Sequence, residues 1–156
     1  MIGDRLQLLV SIQRTEGAPP ANESLEVELL GANRFLLMHS PALVEGLAAG
    51  DEFELIGATP RVLRHGGNLV VWFYFAMELA QQPLAVRRVR EVLESIGGRL
   101  DGGGTVTLIF TVPLESGFER IAQTMDSLVA TTPGSSWMYG NVYSTLDDTP
   151  LNWWLR

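Results

Sequence analysis

Two histidines, His39 and His65, and the acids Asp51, Glu52 and Glu54 are the side chains of this 156-residue chain best suited by type and spacing to acid–base or metal chemistry. Each histidine stands alone at a predicted strand end beside a turn, with no acid or second histidine at metal-ligand spacing, so both read as structural. In "GDEFEL", Glu52 and Glu54 share one side of a predicted strand, Phe53 and Leu55 the other, and Asp51 marks the entry. Paired carboxylates do general acid–base work or hold a divalent cation only where partners converge and a pKa is displaced. The spacing supplies neither, and the pair reads as a solvated strand face.

Other chemistries are excluded outright. There is no cysteine, which removes disulfides, thiolate metal sites and cysteine nucleophiles. All 11 basic residues are arginine, so Schiff-base lysines and a Walker A lysine are absent as well. An all-arginine usage fits codon bias in a GC-rich genome. No GxSxG elbow appears. "DGGGT" follows a predicted helix and precedes a strand, the reverse of the order that aims backbone N–H groups at a phosphate, and reads as a loop. "RRVRE" reads as an exposed helix face in which Arg87–Glu91 and Arg90–Glu94 form i, i+4 pairs. The sequence thus assigns no catalytic residue, no metal ligand and no cofactor.

The elements that must position these residues fall into two unlike halves, 1–80 and 81–156, either as two lobes or as one continuous domain. The first half reads as strands and turns: "RLQLLVSIQ", broken by "GAPPAN", then "SLEVELL" with Leu25, Val27 and Leu29 on one face and Glu26 and Glu28 on the other. "GAN" turns the chain into "RFLLMHS", with Gly31 and Asn33 tolerating positive φ. "RVLR" and "NLVVWFYFAM" flank "HGG", which reads as a two-residue hairpin turn between central strands. Beyond residue 80, helix and strand alternate. Ala85, Val89, Val92, Leu93 and Ile96 lie at helical spacing before the stop at Gly97–Gly98. "TVTLIFTV" is a strand with Val106, Leu108, Phe110 and Val112 on one face. A second helix carries the stripe Phe118, Ile121, Ala122, Met125, Leu128 and Val129, with Ser116 and Glu119 at capping-box spacing. "WMYGNVYS" reads as the last strand. The expected class is α+β: hairpins in a small curved sheet or barrel, followed by two helices packed on one sheet face.

"FLLMHSPALVEGLAAGDEFEL", the "RHGGN" turn and "VREVLESIGGRL…TVTLIFTVPLESGFERIAQTMDSL" resemble a bacterial family known only as a domain of unknown function. The likeness spans about residues 5–145 and rests on positions such as Ser40, Pro41, Gly46, Gly50 and Asp51. Ala42 departs from it, standing where the family has an aromatic. The resemblance implies a small acidic α+β protein. Because similar proteins sit beside toxins, it also implies an immunity role, and it carries over no catalytic residue.

Charge bounds the partner. A net charge of −7 and a pI near 4.7 argue against nucleic acid and anionic membrane and allow a basic protein, such as a toxin. No stretch approaches the roughly 18 apolar residues of a membrane span, and the N-terminus lacks a leader pattern, so the expected location is cytoplasmic. The aromatics sharpen the question of what is covered. Trp72, Phe73, Tyr74 and Phe75 send two rings to each sheet face, and Trp137, Tyr139 and Tyr143 share a face of the last strand. The tail "TLDDTPLNWWLR" is expected to fold back from Pro150 and lay Trp153 or Trp154 over Trp137 and Tyr139. The residues expected to meet a partner are Glu26, Glu28, Asp51, Glu52, Glu54, Trp153 and Trp154, with a homodimer left open. Two functions survive: a non-catalytic immunity-type protein occluding a basic toxin through an acidic surface, or a small-molecule domain or enzyme. The second would place its pocket between the halves, with Arg64, His65 or Glu54 as polar handles.

Overall fold

Alternating apolar and polar residues drive the first half of the chain into strands: β1 (Arg5–Ser11), β2 (Asn22–Gly31), β3 (Arg34–Leu37), β4 (Glu52–Ile56) and β5 (Thr59–Arg64). The computed structural model describes residues 1–12, 17–144 and 147–155. Gln13, which closes the first apolar run, and Thr145, Leu146 and Arg156 of the tail segment lie outside the described residues. The five strands form one antiparallel sheet in chain order. Leu25 and Val27 point inward with Phe35, Leu37 and Phe53, and Phe35 faces Phe53 across the β3–β4 pairing with ring centroids 5.6 Å apart. The sheet curves until the Ser11 N–H meets the Ala58 carbonyl at 2.8 Å, yet it does not close into a barrel. At the β2–β3 turn Asn33 takes a positive φ of 50° and Gly31 does not, so one of the two expected residues does that work.

The second half contributes β6 (Asn68–Tyr74), α1 (Pro83–Ser95), β7 (Arg99–Gly103), β8 (Thr107–Pro113), α2 (Phe118–Thr131) and β9 (Ser136–Tyr139). Its sheet runs β7-β8-β6-β9 with every neighbouring pair antiparallel, the split β-α-β arrangement of ferredoxin-like folds. Both helices lie on one face. Val89, Leu93 and Ile96 of the first helical segment and Ile121, Met125 and Leu128 of the second close over Leu69, Val71, Phe73, Leu108, Phe110 and Val112. Each such ring or branched chain removed from water is worth about 1.5–3 kcal/mol.

Three expectations give way. "RVLR" and "NLVV" do not form a hairpin: β5 is an edge of the first sheet, β6 an interior strand of the second, and residues 65–67 carry the chain between them. Gly66 is required there because a Cβ would lie 2.5 Å from the Gly50 backbone. "DGGGT" is not simply a loop, since Asp101, Gly102 and Gly103 belong to edge strand β7, with a register shift between Leu100 and Gly102. The capping box at α2 does not form. The chain enters that helix through a tight turn at Leu114–Ser116 that leaves Gly117 at the N-cap, and the Ser116 hydroxyl donates to the Ile96 carbonyl at 2.7 Å instead.

Residues 38–51 bind the two sheets together. Val44 and Leu47 enter the first core, while Ala48 packs with Val70, Trp72 and Ile109 on the face of the second sheet opposite the helices. The Trp72 indole donates to the Pro41 carbonyl at 2.8 Å. The aromatic run therefore divides as strand alternation requires, Phe73 and Phe75 under the helices, Trp72 and Tyr74 under this loop. Past β9, a bridge pairs Tyr143 with Pro150 and turns the tail back, ending in a 3-10 turn at Trp153–Leu155. Among the described residues no helix is long and apolar enough to cross a membrane.

Candidate functional site

The acids singled out in the sequence do not form one bare acidic face. Glu52 pairs with Arg34 at 2.6 Å, Glu54 pairs with Arg61, and Glu26 lies 3.2 Å from His39 Nε2 and 3.9 Å from Arg5. Half-buried Glu28 stands opposite Arg5 in the β1–β2 register. Asp51 is fully enclosed, a correction to its expected place on a partner surface. One carboxylate oxygen accepts the Ala48 N–H (3.0 Å) and the other the Gly66 N–H (2.8 Å), so it braces the bridging loop against the crossing between sheets. Trp153 is also interior, 8% exposed, its indole donating to the Asn141 carbonyl at 2.8 Å, and Trp154 meets Phe118 edge-on at 5.0 Å. The tail thus folds back, with Phe118 lying between Trp154 and Tyr139.

A polar cleft of about 310 Å³ lies where the first sheet meets β7, with His39, Ser40, Glu23, Glu26 and Asp101 on its walls. Sequence reasoning missed Asp101, whose side chain is 1% exposed. Burial pushes its carboxyl up, but hydrogen bonds from Arg99, the Thr111 hydroxyl and the Ser40 N–H outweigh that and hold it below the usual carboxylate range. His39 places Nδ1 3.7 Å from Asp101 and Nε2 3.2 Å from Glu26. A carboxylate thus faces each ring nitrogen, the one at Nδ1 at ion-pair rather than hydrogen-bond distance. The Ser40 hydroxyl is occupied by Thr111 (2.6 Å) and the Ala49 N–H (3.1 Å), and Glu23 accepts the N–H groups of Ala42, Leu43 and Val44 at 2.7–2.9 Å. These are bonds of a clasp between layers. Among the described residues no group of three or more His, Asp or Glu side chains is placed to hold a metal ion. The handles expected for a pocket between the halves lie elsewhere: Arg64 is exposed, Glu54 is paired with Arg61, and His65 stacks on Trp153.

The second cleft is aromatic. About 470 Å³ of space follows β9, walled by Trp137, Met138 and Tyr139 of that strand, Ala122 of α2, Tyr143 beyond it and Glu45 from the bridging loop, with Asp148 at the rim. A hollow of about 290 Å³ adjoins it over Phe118, Pro150 and Trp154. The rings form a continuous chain of edge contacts from Trp137 to Tyr139 (4.9 Å), Phe118 (5.7 Å), Trp154 (5.0 Å) and Trp153 (5.6 Å). Burial, then Tyr143 and Asp126, push the Tyr139 phenol up to about 12, so it remains a neutral hydroxyl at physiological pH. Burial also raises Glu45, and burial followed by the nearness of Glu45 raises Tyr74. Among the described residues Glu45 has neither a hydrogen-bond nor an ion-pair partner. Asp126 accepts the Trp137 indole N–H at 3.0 Å and adds a second carboxylate beside the cleft.

The sequence model of one protein family, described as Domain of unknown function (DUF4265), matches residues 23–134. Among solved structures, a crystal structure of a hypothetical protein from Neisseria gonorrhoeae shares the fold, with a TM-score of 0.66 at 15% identity over 88% of this chain and 94% of that one. The comparison with curated proteins gives no match.

Proposed function

The chain belongs to the DUF4265 family of domains of unknown function, and from that premise we propose that it is a non-catalytic binding protein whose aromatic cleft receives a basic group of a protein partner. The distribution of acid carries this reading. Glu26, Glu52 and Glu54 have basic neighbours within the fold, whereas Glu45, exposed at the cleft and only partly shielded from water beside Trp137, Tyr139 and Tyr143, has none among the described residues. An arginine or lysine entering there would meet an uncompensated carboxylate and aromatic rings, a combination that favours cations. In its finer form the reading is an immunity-type protein, acting in the cytoplasm, that occludes a basic toxin; the net charge of −7 suits fast, selective association with such a partner.

The test is co-purification with a basic protein encoded beside it, followed by association kinetics across salt. The on-rate falls as salt rises, since the Debye length shrinks from about 10 Å at 0.1 M to about 3 Å at 1 M, and Glu45→Gln slows it further. A partner whose on-rate ignores both salt and Glu45 would sink the proposal. A second reading, a small-molecule site, draws support from the size of the cleft, about 470 Å³, within the roughly 300–1,000 Å³ of small-ligand pockets. A stoichiometric small molecule in native mass spectra of the purified protein would select it.

A further inference from the structure

The cleft borders a strand with an open side. Among the described residues β9 pairs with β6 and with no strand beyond it. The Gly140 N–H donates to the Val70 carbonyl at 2.9 Å, and the register places Met138 opposite Trp72 and Ser136 opposite Tyr74. Because backbone groups of an antiparallel strand alternate in direction, Met138 and Ser136 point into the sheet, as does the Gly140 N–H, while the Gly140 carbonyl accepts the Gly46 N–H of the bridging loop at 2.9 Å and the N–H and C=O groups of Trp137 and Tyr139 point away from β6. Among the described residues these outward groups meet no backbone partner. An unpaired edge of this kind is a template for another strand.

Charge on both sides of the edge says what that strand should carry. Glu45 stands on the side of the bridging loop and Asp126 on the side of α2, where it holds the Trp137 indole. We propose that the partner enters as an extended basic segment that adds to β9 as a fifth strand of the second sheet. It would bond to the backbone of Trp137 and Tyr139 and set its cationic side chains against Glu45 and Asp126. This is strand addition, in which main-chain bonds give affinity and flanking side chains give selectivity. The inference rests on the cationic reading of the cleft and specifies how the partner is held.

The experiment uses the full chain and two synthetic peptides of about eight residues, alternating arginine with valine, one with free backbone amides and one N-methylated at alternate positions. On titration with the free peptide, amide exchange at Trp137 and Tyr139 slows, while that at Met138, already turned into the sheet, changes little. N-methylation weakens binding about tenfold or more by removing main-chain donors while leaving the charge intact. Equal binding of both peptides, or binding that leaves the Trp137 and Tyr139 amides unprotected, overturns strand addition and leaves the cationic reading standing. If an otherwise identical peptide with glutamate for arginine binds as well as the basic one, strand addition survives and the cationic reading fails. Binding of no peptide overturns both. Protection of the same amides in peptide-free protein, rising with protein concentration, assigns the edge to a second copy of the chain and overturns the basic occupant.

Discussion

His65 lies face to face with Trp153, the ring centroids 4.5 Å apart and the planes 16° from parallel. The contact joins the crossing between the two sheets to the C-terminal tail, and it places His65 Nδ1, buried and without a hydrogen-bond partner among the described residues, 3.5 Å from Asp51. The C-terminal tail is therefore part of the packed interior at the point where the sheets meet.

Removing that ring should be costly. Trp153→Ala, or truncation before Pro150, loses a buried indole and its bond to the Asn141 carbonyl. A loss of about 3–5 kcal/mol is expected for Trp153→Ala, which in a chain of this size lowers the melting temperature by roughly 6 °C or more. Thermal unfolding followed by circular dichroism measures it, and an unchanged transition would mean that the tail does not belong to the core.

Gly66→Ala should destabilise more than its single methyl suggests. The added Cβ falls 2.5 Å from the carbonyl carbon and oxygen of Gly50, backbone atoms that cannot rotate aside, and opening that contact disturbs the Asp51 brace as well. A cost above about 2 kcal/mol is expected from urea unfolding, whereas Gly104→Ala, which meets open space, should stay within about 1 kcal/mol.

Acid stability should depend on Asp101. Its folded-state pKa lies below its unfolded value, so the carboxylate stabilises the fold above the unfolded value, near pH 4, and that stability is lost as pH falls through the folded value. Asp101→Asn should be less stable at neutral pH and lose less on acidification. Parallel unfolding curves from pH 7 to pH 2 distinguish the two proteins, and identical acid limbs would show that the carboxylate contributes nothing.

Glu45 is expected to behave in the opposite sense. Burial raises its folded-state pKa, so ionisation disfavours the fold as pH rises through the unfolded value. Glu45→Gln should then be at least as stable as the parent at pH 7 while binding the basic partner less well. Loss of stability together with retained binding would assign the side chain to the fold rather than to the cleft.

Periodicity carried the sequence reading where an element is amphipathic. The stripes of α1 and α2, the alternation of Leu25 and Val27, and the two-faced aromatic run at Trp72–Phe75 all sit as their spacing dictates. It failed where glycine hides an element, as in β7, whose "RLDGG" offers no apolar alternation, and where a turn signal is ambiguous. "HGG" suits a hairpin, but close approach of Gly66 to Gly50, invisible in one dimension, sends the chain to the other sheet. The clefts were least legible. His39 meets Glu26 and Asp101 from two different strands, and Glu45 reaches β9 across more than half the length of the chain, so no local spacing announces either group.

The two sheets differ in how they can be assembled. The first pairs only strands consecutive in the chain, so each hairpin can close as soon as its residues are available. The second cannot: Val71 must wait for Phe110 on one side and for Tyr139 on the other, and closing such long loops precedes any gain from the contacts. On the ribosome the first sheet can form while β6, with its contiguous Trp72, Phe73 and Tyr74, still lacks both neighbours. Until α2 and β9 emerge, the bridging loop at residues 38–51 is the cover at hand for the Trp72 side of that strand. A substitution that loosens this loop, at Ala48 for example, should therefore reduce the yield of folded chains at synthesis beyond its effect on the finished protein.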